Sequence, residues 1–205
     1  MASSQELVSG NIVGIPTDTV YGLAASLYKP NAINDLFRLK ARPADVAMPV
    51  LVADTEQAFD LAEFSPWGER LAKHFWPGPL TLVLQRKSNV KMNLGGDFNS
   101  IGLRCQNHDF IRKLCRLVGP LVTTSANLHG GKPFVDVKSF LLGVTKWDKS
   151  DAELGKMMDN RGSLSLIIDG GVCNGKPSNV VDCRSDEPLC IRQGAIPWDA
   201  VMSLK

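Results

Sequence analysis

The chain has 205 residues, of which 44% are hydrophobic and 21% charged, and its formal net charge is +2 at pH 7. This length favours one domain spanning residues 1–205. So small a net charge excludes a strong overall field for nucleic acid, and an anion site must therefore be built locally. No apolar run approaches the roughly 18 residues that span a bilayer, and residues 1–10 have neither a basic start nor an apolar stretch. We expect a cytosolic protein with no membrane partner.

The cysteines and histidines argue against a metal centre. The five cysteines form no CxxC pair, and the three histidines have no partner at helical spacing. An odd number of cysteines cannot all pair within one chain, so reduced thiols in a reducing compartment are expected. We predict no dedicated metal site.

Short apolar runs bounded by turn residues predict strands, and apolar residues at helical spacing predict helices. The predicted strands, in chain order, are residues 12–15, 20–25, 49–52, 80–84, 100–104, 121–122, 164–169, 180–181 and 189–192. Between them we predict helices capped by Asn31, Thr55, Ser65 and Asn107, ending near residues 40, 61, 75 and 118, with further helices over 137–142 and within 151–158. The polar stretch 86–99 predicts a long surface loop. The repeating unit is strand, loop, helix, strand, in an α/β sheet.

Polar residues follow three of these strands. Residues 17–19 come after the first, residues 123–127 come after the strand at 121–122, and Arg104 ends the strand that starts at Ser100. Ligands collect at strand ends in α/β sheets, so we expect these groups to share one rim. The candidate site residues are Thr19, Lys40, Arg42, Ser100, Arg104, Thr123, Ser125, Asn127, Ser178 and Arg192.

This set holds several cations and hydroxyls but no obvious nucleophile and base. The common phosphate loops, a GxSxG elbow and an HExxH pair are all absent from the sequence. The combination suits chemistry in which the substrates react with each other while the protein aligns them and neutralises charge, as in reactions at phosphorus. An arginine fork binds carboxylate or phosphate. Arg104 would then hold a carboxylate and Arg42 a phosphate.

Each residue also has a structural explanation. Lys40 could be the basic partner of its helix dipole, because cations favour the last turn. Arg104 could form a surface ion pair. Serine and threonine at strand ends often satisfy nearby backbone groups.

The joint order of eight segments resembles the YrdC-like family. They are Pro16-Thr17-Asp18-Thr19-Val20-Tyr21-Gly22-Leu23, Lys40-Ala41-Arg42-Pro43, Trp76-Pro77-Gly78-Pro79-Leu80-Thr81, Ile101-Gly102-Leu103-Arg104, Ser125-Ala126-Asn127, Ile168-Asp169-Gly170-Gly171, Ser178-Asn179-Val180-Val181-Asp182 and Ile191-Arg192-Gln193-Gly194. The match covers roughly residues 10–197. The resemblance implies a twisted mixed sheet flanked by helices, of the YrdC/RibB-like kind, with a positively charged concave cavity.

The resemblance also implies a reaction, that of threonylcarbamoyl-AMP synthases. L-threonine captures bicarbonate or CO2, the carbamate attacks the α-phosphorus of ATP, and pyrophosphate leaves. Mg²⁺ would travel on ATP, with no protein site of its own. The product starts the synthesis of threonylcarbamoyladenosine (t6A) in tRNA, so tRNA or proteins of that pathway are the expected partners.

The family's motifs imply a role for each matching residue. Lys40 and Arg42 would be the catalytic groups at the phosphates. Threonine would be held by Thr19, Arg104, Thr123 and Ser178. The nucleotide would also meet Ser100, Ser125, Asn127 and Arg192.

The chain departs from the family pattern in three places. Residues 46–49 read Val-Ala-Met-Pro where many members have Asn-Pro, residues 129–134 lack a hydroxyl of the usual Ser-Gly-x-Pro-Ser, and Asn179 replaces a threonine. The chain resembles the short form of the family, which lacks the extra C-terminal domain and in bacteria works with separate partner proteins. Two alternatives remain: an RNA-binding or ribosome-associated module, and the carbamoyl-transfer domain of hydrogenase maturation proteins.

Overall fold

The computed structural model describes residues 1–40, 42–127, 131–150, 164–173 and 175–204. In these ranges the strands are β1 (Ile12–Ile15), β2 (Gly22–Ser26), β3 (Val50–Val52), β4 (Ala62–Glu63), β5 (Leu80–Arg86), β6 (Ser100–Cys105), β7 (Leu121–Ser125), β8 (Leu164–Ile167), β9 (Asn179–Asp182) and β10 (Leu189–Arg192). The helices are α1 (Ala2–Ser9), α2 (Pro30–Leu39), α3 (Thr55–Phe59), α4 (Pro66–Phe75), α5 (Asp109–Val118), α6 (Val137–Ser150) and α7 (Trp198–Met202).

The strands form one mixed sheet in the order β10-β9-β5-β6-β3-β7-β2-β1-β8, and β4 pairs with β5 outside this path. Three of the pairs are parallel, namely β1 with β8, β3 with β6, and β5 with β9. The predicted mixed sheet flanked by helices is therefore confirmed.

The expectation that three strand ends share one rim is wrong for β6. Both β1 and β7 run antiparallel to β2, so their C-terminal ends lie at the same edge. β6 runs parallel to β3, which is antiparallel to β7, so β6 ends at the opposite edge. Leu51 pairs with both Arg104 and Leu121, which places Arg104 level with the start of β7. Strand direction depends on long-range pairing, which the local sequence does not determine.

The pairing register assigns side chains to the two faces of the sheet, because partners across a ladder share a face and residues two apart share it again. On one face Val50, Leu103 and Val122 form the larger core, with α2 and α4. On the other face Leu51 and Leu121 form a smaller core, with α1 and α5. The same register places polar residues on this second face, which we call the polar face: Thr81, Ser100, Arg104, Thr123, Ser125, Ser178 and Arg192.

Helix starts agree with the sequence in one case and differ by one or two residues in others. Ser65 caps α4 as predicted, since its hydroxyl accepts from the Gly68 amide. The expected caps at Asn31, Thr55 and Asn107 are wrong, because the capping positions are Lys29, Asp54 and His108. The sequence also missed α1, β4 and α7. The helix expected within 151–158 lies outside the described residues.

Across the part of the chain that the structure describes, none of the helices combines the length and the apolar character needed to cross a lipid bilayer.

Candidate functional site

A hydroxyl-centred turn at residues 17–20 fixes the orientation of Thr19. The Thr17 hydroxyl donates to the Val20 carbonyl oxygen at 2.6 Å and accepts from the amides of Thr19 and Val20, each at 3.0 Å. Its oxygen also lies 3.0 Å from the Thr19 hydroxyl oxygen. The Gly175 amide donates to the Thr19 carbonyl oxygen at 2.6 Å. The buried Thr19 hydroxyl is thus held at a defined point.

Arg104 reaches this turn from β6 and is buried. Its Nε donates to the Gly78 carbonyl oxygen at 3.2 Å, and its Nη1 donates to the Thr19 hydroxyl at 3.3 Å. Its Nη2 donates to Asp18 Oδ1 at 2.5 Å, while the Asn107 amide donates to Asp18 Oδ2 at 3.1 Å. Burial lowers the pKa of the Arg104 guanidinium, and the Asp18 carboxylate opposes that shift. These contacts use three of the five N–H donors of the guanidinium, so the residue is a buried, oriented cation.

Lys40 lies at the C-terminal end of α2, and its side chain forms hydrogen bonds at the end of β7. Only 1% of Lys40 is exposed, and its Nζ donates to the Ser125 carbonyl oxygen at 2.8 Å and to the Asn127 carbonyl oxygen. Burial lowers the pKa of Lys40 to about 7, and the charge of Arg42 adds to the effect. The helix-dipole explanation does not account for these contacts, because both acceptors lie outside α2, one at the end of β7 and one just beyond it.

Arg42 is held by the segment that follows it. Its Nε donates to the Val46 carbonyl oxygen at 2.9 Å, and its Nη2 donates to the Ala47 carbonyl oxygen at 2.7 Å. Burial lowers the pKa of Arg42, and the charge of Arg192 lowers it further. Arg192 acts in the same direction on the pKa of Arg104. The three arginines therefore share one electrostatic environment.

Ser178 links β9 to β10 on the polar face. Arg192 Nη2 donates to the Ser178 hydroxyl at 3.1 Å and to its carbonyl oxygen at 3.0 Å. The Ser178 hydroxyl oxygen also lies 3.1 Å from that of Thr81. Ser178 and Thr81 are both buried, and Arg192 is exposed. This group joins the predicted threonine contact Ser178 to the predicted nucleotide contact Arg192.

The remaining candidates are placed as follows. Thr123 is buried on β7, and its hydroxyl lies 3.5 Å from the Pro49 carbonyl oxygen. Ser125 ends β7, and the side-chain Nδ2 of Asn127 donates to the Gly131 carbonyl oxygen at 2.8 Å. Ser100 stands four residues before Arg104 on the same strand, and its hydroxyl donates to the Asp97 carbonyl oxygen at 3.0 Å. The nucleotide contact of Ser100 stays a prediction.

Sequence reasoning missed three groups that complete the site: the Asp18 carboxylate as the partner of Arg104, the Gly78 carbonyl and Thr81. A signal for the first was present, because a buried guanidinium needs a counter-charge and Asp18 lies inside the same polar cluster. The other two lie in the Trp76-Pro77-Gly78-Pro79-Leu80-Thr81 segment, in which no candidate site residue was predicted.

The charges of the site favour anionic ligands. The contacts above involve four cations, Lys40, Arg42, Arg104 and Arg192, and one carboxylate, Asp18, which pairs with Arg104. Desolvation disfavours each of these cations, and a bound anion would offset that cost. In the described ranges no three His, Cys, Asp or Glu side chains are grouped so that they could hold a metal ion. The arrangement can bind and align phosphates and a carboxylate.

Comparison with known proteins gives concordant results. The family model Sua5_yciO_yrdC, described as "Telomere recombination", matches residues 5–194. The chain is 35% identical over 195 residues to a threonylcarbamoyl-AMP synthase of Pyrococcus abyssi, covering 94% of this chain and 53% of that protein. It is 34% identical to a threonylcarbamoyl-AMP synthase of Pseudomonas aeruginosa, covering 78% of this chain and 86% of that protein.

Among solved structures, the chain is similar to P. abyssi Sua5 complexed with L-threonine. The TM-score is 0.85 at 31% identity, over 99% of this chain and 56% of that one. The chain therefore spans about half the length of the P. abyssi proteins and most of the P. aeruginosa protein.

Proposed function

The chain belongs to the Sua5/YciO/YrdC family, and on that basis we propose that it is an L-threonylcarbamoyladenylate synthase. The reaction combines L-threonine, bicarbonate or CO2, and ATP into threonylcarbamoyl-AMP and pyrophosphate. One observation carries the proposal: the sheet orients Arg104 and Thr19 as one unit, and Lys40, Arg42 and Arg192 supply cations to the same site. The names of the P. abyssi and P. aeruginosa relatives support it.

Arg104 and Thr19 form the threonine end of the site. The remaining N–H donors of Arg104 match the two oxygens of a substrate carboxylate. Asp18 and the Gly78 carbonyl fix the guanidinium plane beforehand, so little ordering is needed on binding. The hydroxyls of Thr19, Thr123 and Ser178 would bind the polar groups of threonine.

Lys40, Arg42 and Arg192 form the nucleotide end, together with Ser100, Ser125 and Asn127. Hydrogen bonds from Lys40 to the carbonyl oxygens of residues 125 and 127 hold its ammonium group at the end of β7. There its charge and those of the arginines would neutralise the triphosphate and stabilise the charge that develops on departing pyrophosphate. Lys40 and Arg42 are our candidates for the catalytic groups.

The chemistry needs no protein nucleophile. The threonine amine adds to CO2 and loses a proton, which gives a carbamate. A carbamate oxygen then bonds to the α-phosphorus while the bond from that phosphorus to the bridging oxygen breaks, and pyrophosphate leaves with the electron pair. The protein holds the two substrates in line and excludes alternative geometries.

Mg²⁺ would be carried by ATP. Both oxygens of Asp18 already accept hydrogen bonds, one from Arg104 and one from the Asn107 amide. The site therefore suits an ion that keeps its ligands on the phosphates, as Mg²⁺ commonly does. When bound, the ion would neutralise phosphate charge.

We place the product upstream of t6A formation in tRNA, with proteins of that pathway as partners and a cytosolic location. Detection of threonylcarbamoyl-AMP by mass spectrometry, from threonine, bicarbonate and MgATP, tests the activity. The RNA-binding alternative predicts tight, strongly salt-dependent binding of tRNA and no such product. That outcome would overturn the proposal.

A further inference from the structure

The 86–99 loop does not stand apart from the site, because its central turn packs against the segment that holds Arg42. The Leu94 carbonyl oxygen accepts from the Met48 amide at 2.8 Å. The Gly96 amide donates to the Ala44 carbonyl oxygen at 3.0 Å. Segment 43–48 thus forms hydrogen bonds with turn 93–97 near both of its ends, at Ala44 and at Met48. Carbonyls between these two residues are the acceptors for the Arg42 guanidinium.

The fit between the two segments requires glycine. Gly95 and Gly96 have φ angles of 77° and 63°, in the left-handed region that glycine favours. A Cβ added at Gly95 would lie 2.9 Å from the Val46 carbonyl oxygen, the acceptor for Arg42 Nε. A Cβ added at Gly96 would lie 3.0 Å from the Ala47 Cβ. The turn can approach the Arg42 acceptors only because both positions lack side chains.

The turn is itself anchored to the sheet. Arg86 is buried at the end of β5, and it donates to the Met92 carbonyl oxygen and to the Ser100 carbonyl oxygen, each at 2.9 Å. Asp97 accepts from Arg184 Nη1 at 2.6 Å, and Arg184 also binds Asp182 of β9. The contacts run from the sheet through the loop to segment 43–48 and so to Arg42.

We propose that Gly95 and Gly96 are positioning residues for the nucleotide, which set the Arg42 guanidinium by supporting the carbonyls of Val46 and Ala47. This inference rests on the proposed function in so far as Arg42 meets ATP. The loop contacts described above leave Arg104 and Thr19 untouched, so disturbing the turn should affect ATP and spare threonine.

The experiment compares Gly95→Ala with Gly10→Ala in the whole chain. Gly10 has a φ of 87° and only Lys29 side-chain atoms, at 3.7 Å or more, near an added Cβ, so its substitution reproduces the backbone strain away from the site. We expect Gly95→Ala to raise the KM for ATP about tenfold, as for loss of one charge-assisted hydrogen bond, with the KM for threonine unchanged. Gly10→Ala should change neither KM. Equal increases for both substrates in Gly95→Ala would overturn the proposal.

A second variant tests the proposal if Gly95→Ala does not fold, and a second measurement tests it if the protein shows no activity. Asn93→Ala changes an exposed side chain whose Oδ1 accepts from the Gly95 amide at 3.0 Å, and it should give a smaller rise confined to ATP. Nuclear magnetic resonance of the Arg42 Nε–H reports the support without catalysis. Hydrogen exchange at this group should be slow in the wild type and in Gly10→Ala, and faster in Asn93→Ala and Gly95→Ala. Unchanged exchange refutes the support, whereas absence of product from every variant refutes only the proposed function.

Discussion

The Lys40 ammonium donates to the Ser125 carbonyl oxygen at an Nζ–O distance of 2.8 Å, which joins the end of α2 to the end of β7 across 85 residues of sequence. Burial at this junction lowers the pKa of Lys40 to about 7. A lysine that titrates near neutrality is sensitive to the charge of a ligand placed beside it.

Binding of ATP at pH 8 should take up as much as about one proton from the buffer. Free Lys40 is mostly neutral above its pKa of about 7, and a bound triphosphate raises that pKa, so the ammonium re-forms. Affinity for ATP should therefore fall as the pH rises above 7. Calorimetry in two buffers with different ionisation enthalpies measures the uptake. Lys40→Met should abolish it, and zero uptake by the wild type would show that Lys40 does not sense the phosphates.

Arg104→Lys should raise the KM for threonine by about 10- to 100-fold, the cost of a lost hydrogen bond to a charged group, and leave the KM for ATP within about threefold. A lysine retains the positive charge but has no fork, so it cannot contact Asp18, Thr19 and a carboxylate together. Steady-state kinetics with each substrate varied in turn provides the measurement. A similar rise for both substrates would remove Arg104 from the threonine end.

Inorganic pyrophosphate should stabilise the protein against heat. Repulsion and desolvation disfavour the cluster of Arg42, Arg104 and Arg192, and a polyanion relieves both. At a hundred times its Kd we expect Tm to rise by about 5 to 10 °C. The rise should shrink in Arg42→Ala and Arg192→Ala. Sodium chloride at equal ionic strength is the control, and an equal effect of this salt would point to general screening.

Thr81→Val should lower the free energy of unfolding by about 1 kcal/mol, because it removes the buried partner of the Ser178 hydroxyl while conserving shape. Urea unfolding followed by tryptophan fluorescence measures the change. Since Arg192 still donates to Ser178, the KM for ATP should rise less than in Arg192→Ala. An unaltered unfolding midpoint would mean that the Thr81 contact adds no stability.

Local sequence was enough to predict most of the strands and the candidates that they carry. The apolar runs at 12–15 and 100–104 matched β1 and β6 to within one residue, because a buried strand is apolar and a polar residue follows its end. The run at 121–122 gave only the first part of β7, which continues through Thr123 to Ser125. Lys40 was likewise predicted at the C-terminal end of a helix, where the structure places it at the end of α2.

Strand direction and contacts between distant segments could not be predicted from the local sequence. The direction of β6 follows from its pairing with β3, so Arg104 meets Thr19 across the face of the sheet and not at a shared rim. The partnership with Asp18 and the support of Arg42 by the Gly95-Gly96 turn depend on contacts between distant segments. No local propensity encodes which distant carbonyl or carboxylate a buried cation will meet.

The most direct test of the two-substrate site is ATP–pyrophosphate exchange with threonine and bicarbonate each left out in turn. If the carbamate of threonine and ATP react with each other on the polar face, labelled pyrophosphate should enter ATP only when threonine and bicarbonate are both present. Exchange with ATP and enzyme alone would require an adenylylated protein group, and that result would contradict a site that aligns substrates without a nucleophile of its own.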